Sequence, residues 1–446
     1  MVSKSKTHLS ILGGGPAGLA TAYYGQKAKL PFTIYESQTQ VGGTCQTFKY
    51  KDFLYDSGAH RFHDKNPIMT QEMVKIMRSD LQKIFVPTQI YNDGKFIDFP
   101  LSPLNLFKHL GPITFAKAGL QVLAGKISPK AENKSFADFA INSYGHTIAS
   151  KFLLNYSARL WGKPCDQLSV NIGGKRLKGL NLKSFLTEAL LGEKAKIEHL
   201  EGAAFYYPKH GIGMIMDKLG QIAETKNIKT KSKITKIYHD DHKITQIEIN
   251  KKQKIKVDQV ISSLPLNYFL QILNPKPPTH ILKLVQNLKF RDMILIAVFV
   301  NKPSITQSAT VYFPDDEFPF TRIYEPRNRS RFMSPKGQTS LVAEIPCQQT
   351  DLIWQENENK IAQQVIAKIK QIGWLTDEDV IGFEVKKMQY TYPVLEIDFE
   401  DKITQIREYL KRFSNLHLTG RNGRFVYSWI HNMMEYGQEI IADIKS

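Results

Sequence analysis

The chain has 446 residues, 42% hydrophobic and 23% charged, an ordinary globular balance that excludes a disordered protein and is long enough for two or three domains. Its 60 Lys and Arg against 42 Asp and Glu give a formal charge of +18, which admits a nucleic acid, an anionic membrane surface or a negatively charged small molecule as partner. The lysines are dispersed, as on a solvated surface, and no nucleic-acid-binding signature occurs, so an anionic small molecule is favoured.

The opening stretch, MVSKSKTHLSILGGG, is polar and runs straight into a short strand, without the apolar core of a secretory signal. No apolar run reaches membrane-spanning length. Three widely separated cysteines, Cys45, Cys165 and Cys347, offer neither a disulfide framework nor a zinc spacing. A reduced, cytoplasmic protein with no transmembrane segment is expected.

THLSILGGGPAGLATAYYGQKAKLPFTIYES reads as strand, tight turn, helix and strand. Gly13, Gly15 and Gly18 form G-x-G-x-x-G around Pro16 and Ala17, and Glu36 closes the second strand. Gly13 permits the turn, Gly15 lets backbone approach a pyrophosphate, Gly18 allows close helix–strand packing, and Glu36 would accept hydrogen bonds from a ribose. The helix N-terminus stabilises the anion. The following VGGTCQTF supplies Gly42, Gly43 and Thr44, a second glycine pair of the kind found in FAD-binding families that resemble the amine oxidases. Position 50 is Tyr50, so Cys45 lacks the partner that dithiol chemistry needs. No second dinucleotide fingerprint is present, so a reductant such as NAD(P)H would have to visit from outside.

YDSGAHRFH places His60 and His63 around an arginine, just after Ala59. His-x-x-His holds a metal only with further ligands, and none has suitable spacing. The two are expected in a loop at the flavin, where an imidazole can adjust its proton and charge state. Residues from about 66 to 200 read as mostly helical, with Pro-rich interruptions at FIDFPLSP and WGKPC. KTKSKITKIYHD, KITQIEIN and KIKVDQVISSLPL alternate as strands. MILIAVFV, ATVYFP and TSLVAEIP suggest an antiparallel sheet, and NLHLTGRNG with the final helix WIHNMMEYGQEIIADI returns the chain to the first unit.

Taken together, the chain resembles UDP-galactopyranose mutase and its flavoprotein relatives over most of its length. GAHRFH stands where the mutases carry a similar segment, and NYSARLWGKPCDQLSVNIGGKR looks like their Tyr-x4-Trp-Gly segment. The resemblance implies that Tyr156 and Trp161 lie beside a nucleotide and Arg176 on its diphosphate. FPFTRIYEPRN makes Arg322 a second diphosphate clamp, although an arginine there also suits a sheet salt bridge. YTYPV offers Tyr392, and GRNGRFVY offers Gly420, Arg421 and Tyr427 near the flavin and sugar. Fixed guanidinium charge and flat aromatic faces are what a sugar nucleotide requires.

The pattern departs at its end, where Val426 and Trp429 replace the mutases' basic residue and aspartate. The implied protein is an α/β flavoenzyme. A discontinuous Rossmann-like FAD-binding domain (residues 1–90, 205–265 and 405–446) carries a helical insertion (91–204) and a mainly antiparallel β substrate domain (266–404). His60, His63, Arg322 and Tyr427 are its candidate catalytic residues. Non-covalent FAD, active when reduced, would isomerise a nucleotide sugar between pyranose and furanose forms through attack of flavin N5 on the anomeric carbon. The alternative is an oxidoreductase like the amine and protoporphyrinogen oxidases, acting on an amine, porphyrinogen or sugar-linked substrate. A homo-oligomer is compatible with either.

Overall fold

The structure, a computed structural model, describes residues 7–99, 101–127, 132–176 and 204–446. Strand β1 (Leu9–Leu12), helix α1 (Pro16–Lys27) and strand β2 (Phe32–Tyr35) form the first unit. They join Ile228–Lys229, Gln259–Ser262 and Leu416–Leu418 in a five-stranded sheet that is parallel throughout, with β1 central. α1 starts on Pro16, whose fixed φ suits a first helical position, and most of its residues are buried. It is enclosed because the final helix, Ile430–Lys445, lies across it, with a Cβ on Gly437 coming within 2.9 Å of Ala20 backbone. The chain's last segment therefore completes its first.

A seven-stranded, mostly antiparallel sheet forms the second body, in the order Val380–Pro393, Phe290–Val300, Thr339–Cys347, Arg322–Tyr324, Thr310–Tyr312, Thr88–Asn92, Lys95–Phe99. The run FRDMILIAVFV is apolar on both faces because both are covered. Ile294, Ile296, Val298 and Val300 pack with Ile361, Val365 and Ile369 of helix Glu358–Gln371. Met293, Leu295, Ala297 and Phe299 pack with Phe53 and Tyr55. Those two belong to the hairpin Thr47–Tyr50 and Phe53–Asp56, pinned to the sheet by Tyr50 stacked on Phe299 at 4.1 Å and by Tyr55 Oη donating to Glu384 at 2.6 Å. Residues 57–60 emerge from this hairpin between the two bodies.

The stretch after residue 66 is less helical than expected. Leu81–Ile84, Thr88–Asn92 and Lys95–Phe99 are strands. The last two form a hairpin at the edge of the seven-stranded sheet, so a division at residue 90 falls inside a strand. The signal is Asp93-Gly94, both with positive φ (49° and 73°), as a two-residue hairpin turn demands.

Candidate active site

The loop after β1 is shaped by backbone contact. Gly13 has φ +102°, and a Cβ on Gly18 would sit 1.9 Å from the Gly13 carbonyl oxygen. A Cβ on Gly43 would come within 3.0 Å of Gly15 Cα, and Gly42 N–H donates to the Gly14 carbonyl at 2.8 Å. The two glycine motifs thus press backbone on backbone at the start of α1, and no side chain caps that helix end, which leaves its N–H donors for an anion. The Glu36 carboxylate, buried, accepts from Gly14 N–H at 2.7 Å on one oxygen and from Gln38 N–H at 2.8 Å and the Ser37 hydroxyl at 3.2 Å on the other. A carboxylate has about four lone-pair sites, so one on the oxygen facing Gly14 remains for a ribose hydroxyl. Ala17 meets Gly420, where a Cβ would approach to 2.9 Å, so the closing segment seals the same cradle.

The Gly58–His60 turn is held from both bodies. The Thr44 carbonyl accepts from Ser57 Oγ at 2.7 Å and is hydrogen-bonded by the His60 ring. Ala59 N–H donates to Glu344 Oε1 at 2.7 Å, and the other Glu344 oxygen accepts from Arg322 Nε at 2.7 Å and from its Nη2. Arg329, buried, donates from Nη1 to the His60 carbonyl at 3.0 Å. His60 thus faces three guanidiniums. Burial first, then Arg421, Arg322 and Arg329, push its pKa down to about 3. Of the two imidazoles expected at the flavin, His60 is held neutral, because a further positive charge there would be both desolvated and repelled. Gln in its place should therefore change the acid stability of the protein. The unfolded His60 binds a proton below about pH 6.5 and the folded one does not until about pH 3, so stability rises with pH across that window, and is lost on acidification, by up to about 1.4 kcal/mol per unit. His60→Gln should flatten the slope of unfolding free energy against pH there, and an unchanged slope would refute the neutral imidazole.

Arg322 lies in a buried ion pair with Glu344, its register partner on the adjacent strand. Burial works against its charge, but Glu344 together with Tyr392, Tyr156 and Tyr312 more than offsets this, so it stays protonated. Tyr156 meets Tyr312 edge-on at 5.3 Å. Trp161 lies 5.8 Å from both Tyr392 and Tyr427, and those two stack at 6.1 Å. Helix Asn155–Trp161 is placed by two arginines: Arg291 donates to the Leu160 and Arg159 carbonyls, and Arg159 to those of Phe313, Asp315, Phe318 and Phe320. Arg421 donates to the Ser428 and Thr391 carbonyls and lies over the Tyr392 and Tyr427 rings at 5.1 and 5.3 Å. It therefore clips the closing segment to strand Val380–Pro393 of the seven-stranded sheet. Trp429 extends this aromatic wall, 5.8 Å from Tyr427 and edge-on to His63 at the same distance.

Arg176 ends the short turn Val170–Arg176, but its side chain lies outside the described residues. Glu344 and Arg329 escaped the sequence reading, although Glu344 had a signal: an acid inside the apolar strand SLVAEIP needs a buried partner. All three cysteines are buried, and burial pushes the Cys45 thiol up to about 12, which leaves it without thiolate character. Among the described residues there is no group of three or more His, Cys, Asp or Glu that could hold a metal, and no helix is long and apolar enough to cross a membrane.

The sequence profile of the flavin containing amine oxidoreductases matches residues 16–386. The chain belongs to this family. Coproporphyrinogen III oxidase of Bacillus subtilis is 20% identical over 99% of this chain and 98% of its own length. Among solved structures, reduced UDP-galactopyranose mutase superposes with a TM-score of 0.83, at 17% identity over 99% of this chain and 96% of that one. A protein provisionally named protoporphyrinogen oxidase, from Exiguobacterium sp. 255-15, gives 0.79 at 17% identity over 99% of both. These structural likenesses show the fold, a mixed α/β FAD-binding amine oxidase architecture. The cofactor of this flavin-dependent family member is FAD, and its residues fit it: a side-chain-free cradle at Gly15 and Gly43, an uncapped helix start, and Glu36 with a free lone pair.

Proposed function

We propose that the protein is a flavin-dependent nucleotide-sugar mutase, with Gly13, Gly15, Gly18, Glu36, Gly42, Gly43 and Gly420 holding FAD. What carries the reading is the convergence of Tyr156, Trp161, Arg322, Tyr392 and Tyr427, from four distant segments, into one contact network beside the His60 turn. Reduced flavin, when bound, supplies an electron-rich ring nitrogen that can act as a nucleophile. The chain's own work is then orientation and anion binding. Tyrosine hydroxyls offer both donors and acceptors to a sugar, and Trp161 offers a flat face to a base. Arg322 brings charge to a diphosphate, but Glu344 already balances it, so a second cation is required, and Arg176 is assigned that part. His60, neutral, serves as a hydrogen-bonding group and not as an acid. NAD(P)H is the expected external reductant.

A second reading, oxidation of a porphyrinogen or amine, is favoured by the ring of aromatic faces that Trp429 extends and by the full-length similarity to coproporphyrinogen III oxidase. Electron demand separates the two. A mutase regenerates its reduced flavin, so dithionite-reduced protein should isomerise a UDP- or dTDP-sugar for many turnovers without oxygen or further reductant. Stoichiometric bleaching of oxidised flavin by a porphyrinogen or amine, with no sugar nucleotide isomerised, would replace the first reading by the second.

A further inference from the structure

The helix Pro103–Ile127 is apolar on two opposite faces. One face is used: Leu106 and Ala118 are buried, and Leu106 joins Ile90, Ile97 and Phe152 in a small core. The other carries Leu104, Phe107, Ile113, Leu120 and Leu123, exposed by 61, 45, 85, 68 and 52%. A soluble surface helix presents polar residues outward, and one that is apolar all round is covered by something. The helix breaks at Gly111, φ +72°, before Pro112, and Phe107 meets Phe115 edge-on at 5.5 Å across the break. The chemistry of the face narrows the cover. No Asp or Glu occurs between Asp98 and Glu132, while Lys108, Lys117, Lys126 and Lys130 do. Lys108 and Lys117 are exposed beside the apolar residues.

We propose that this kinked helix seats the protein on an anionic lipid bilayer, lying in the interface with Leu104, Phe107, Ile113, Leu120 and Leu123 among the acyl chains and the lysines among the headgroups. An acid-free amphipathic segment with lysines flanking a bulky apolar strip is the composition such helices use. A twofold contact between two copies of the face would bring lysines together with no counter-charge on either side, whereas a bilayer with anionic headgroups supplies both the apolar medium and the negative charge. Part of the +18 charge thereby acquires a use that the active site does not give it. The inference is independent of which reaction the flavin site performs.

The test is flotation of the full-length FAD-loaded protein with vesicles of phosphatidylcholine alone or with about one-third phosphatidylglycerol. The wild type should float with the anionic vesicles, weakly with neutral ones, and less as salt is raised. Ile113→Glu with Leu120→Glu, both at exposed positions, should leave the flavin spectrum and melting temperature unchanged and weaken vesicle binding at least tenfold. Lys108→Gln with Lys117→Gln should weaken binding to anionic vesicles alone. Wild type that stays with neither vesicle, or a glutamate variant that binds as well as wild type, overturns the proposal. So does a wild-type dimer that the glutamate pair converts to monomer without any change in vesicle binding.

Discussion

Gly15→Val will give a soluble, folded and colourless protein, whereas Gly18→Val will not fold stably. Both glycines belong to one motif, but the space around them differs. A Cβ on Gly15 meets nothing nearer than Gly43 Cα at 3.7 Å, an ordinary contact, and its φ of −76° suits any residue. The protein alone therefore tolerates a side chain there, and what a side chain displaces is the pyrophosphate and the hydrogen bonds it accepts from the helix start. Two such bonds to a charged group lost at roughly 1.5–3 kcal/mol each lower FAD affinity by about 10² to 10⁴. A Cβ on Gly18 would instead lie 1.9 Å from the Gly13 carbonyl oxygen, inside the contact that docks α1 on β1, and no side-chain movement relieves a backbone clash. Absorbance at 450 nm per protein and thermal unfolding of both variants check this. A yellow Gly15→Val protein would remove the pyrophosphate from that position.

Arg322→Ala will cost about 3–5 kcal/mol of folding free energy, the scale for removing one partner of a buried ion pair. The loss extends beyond substrate binding, because Glu344 is left buried, unpaired and still bonded to Ala59 N–H. The His60 turn will move with it, so some flavin will be lost as well. Replacing both charges, as Arg322→Met with Glu344→Met, should recover much of the stability, since apolar substitutes for a buried pair are often near neutral. The recovery will be partial, as Ala59 N–H loses its acceptor. The paired variant also separates the roles of Arg322. If it clamps a diphosphate, the stable double variant will bind UDP-sugars at least tenfold more weakly, the loss of one charge-assisted hydrogen bond of roughly 1.5–3 kcal/mol. Unchanged affinity by calorimetry would make Arg322 a structural residue.

Trp161, Tyr392 and Tyr427 meet because each is fixed to a strand end, a helix end or a turn and the fold closes these on one place. Tyr392 sits on the long strand Val380–Pro393, Tyr427 in the turn after Gly420, and Trp161 at the end of a helix anchored by Arg291. The hairpin at Asp93-Gly94 was also written in the sequence, in alternation with a two-residue turn, but was masked by helical stretches on either side. Trp429 stood out as a departure from the mutase pattern, and only its placement beside Tyr427 and His63 makes it part of the same aromatic cluster.

By itself the sequence determined the tight turn between β1 and α1 and the acid that meets it, since Gly13, Gly15, Gly18 and Glu36 act through backbone conformation and short-range spacing, which are local properties of the chain. Tertiary structure alone decided the charge states. Whether Arg322 is a free cation depends on Glu344, 22 residues away on the next strand. Whether His60 carries a charge depends first on its burial and then on Arg421, Arg322 and Arg329, all far from it along the chain. Electrostatic energy is set by distance and burial in space, not by separation along the chain, so a sequence can supply ionisable groups without stating which of them are charged where they meet.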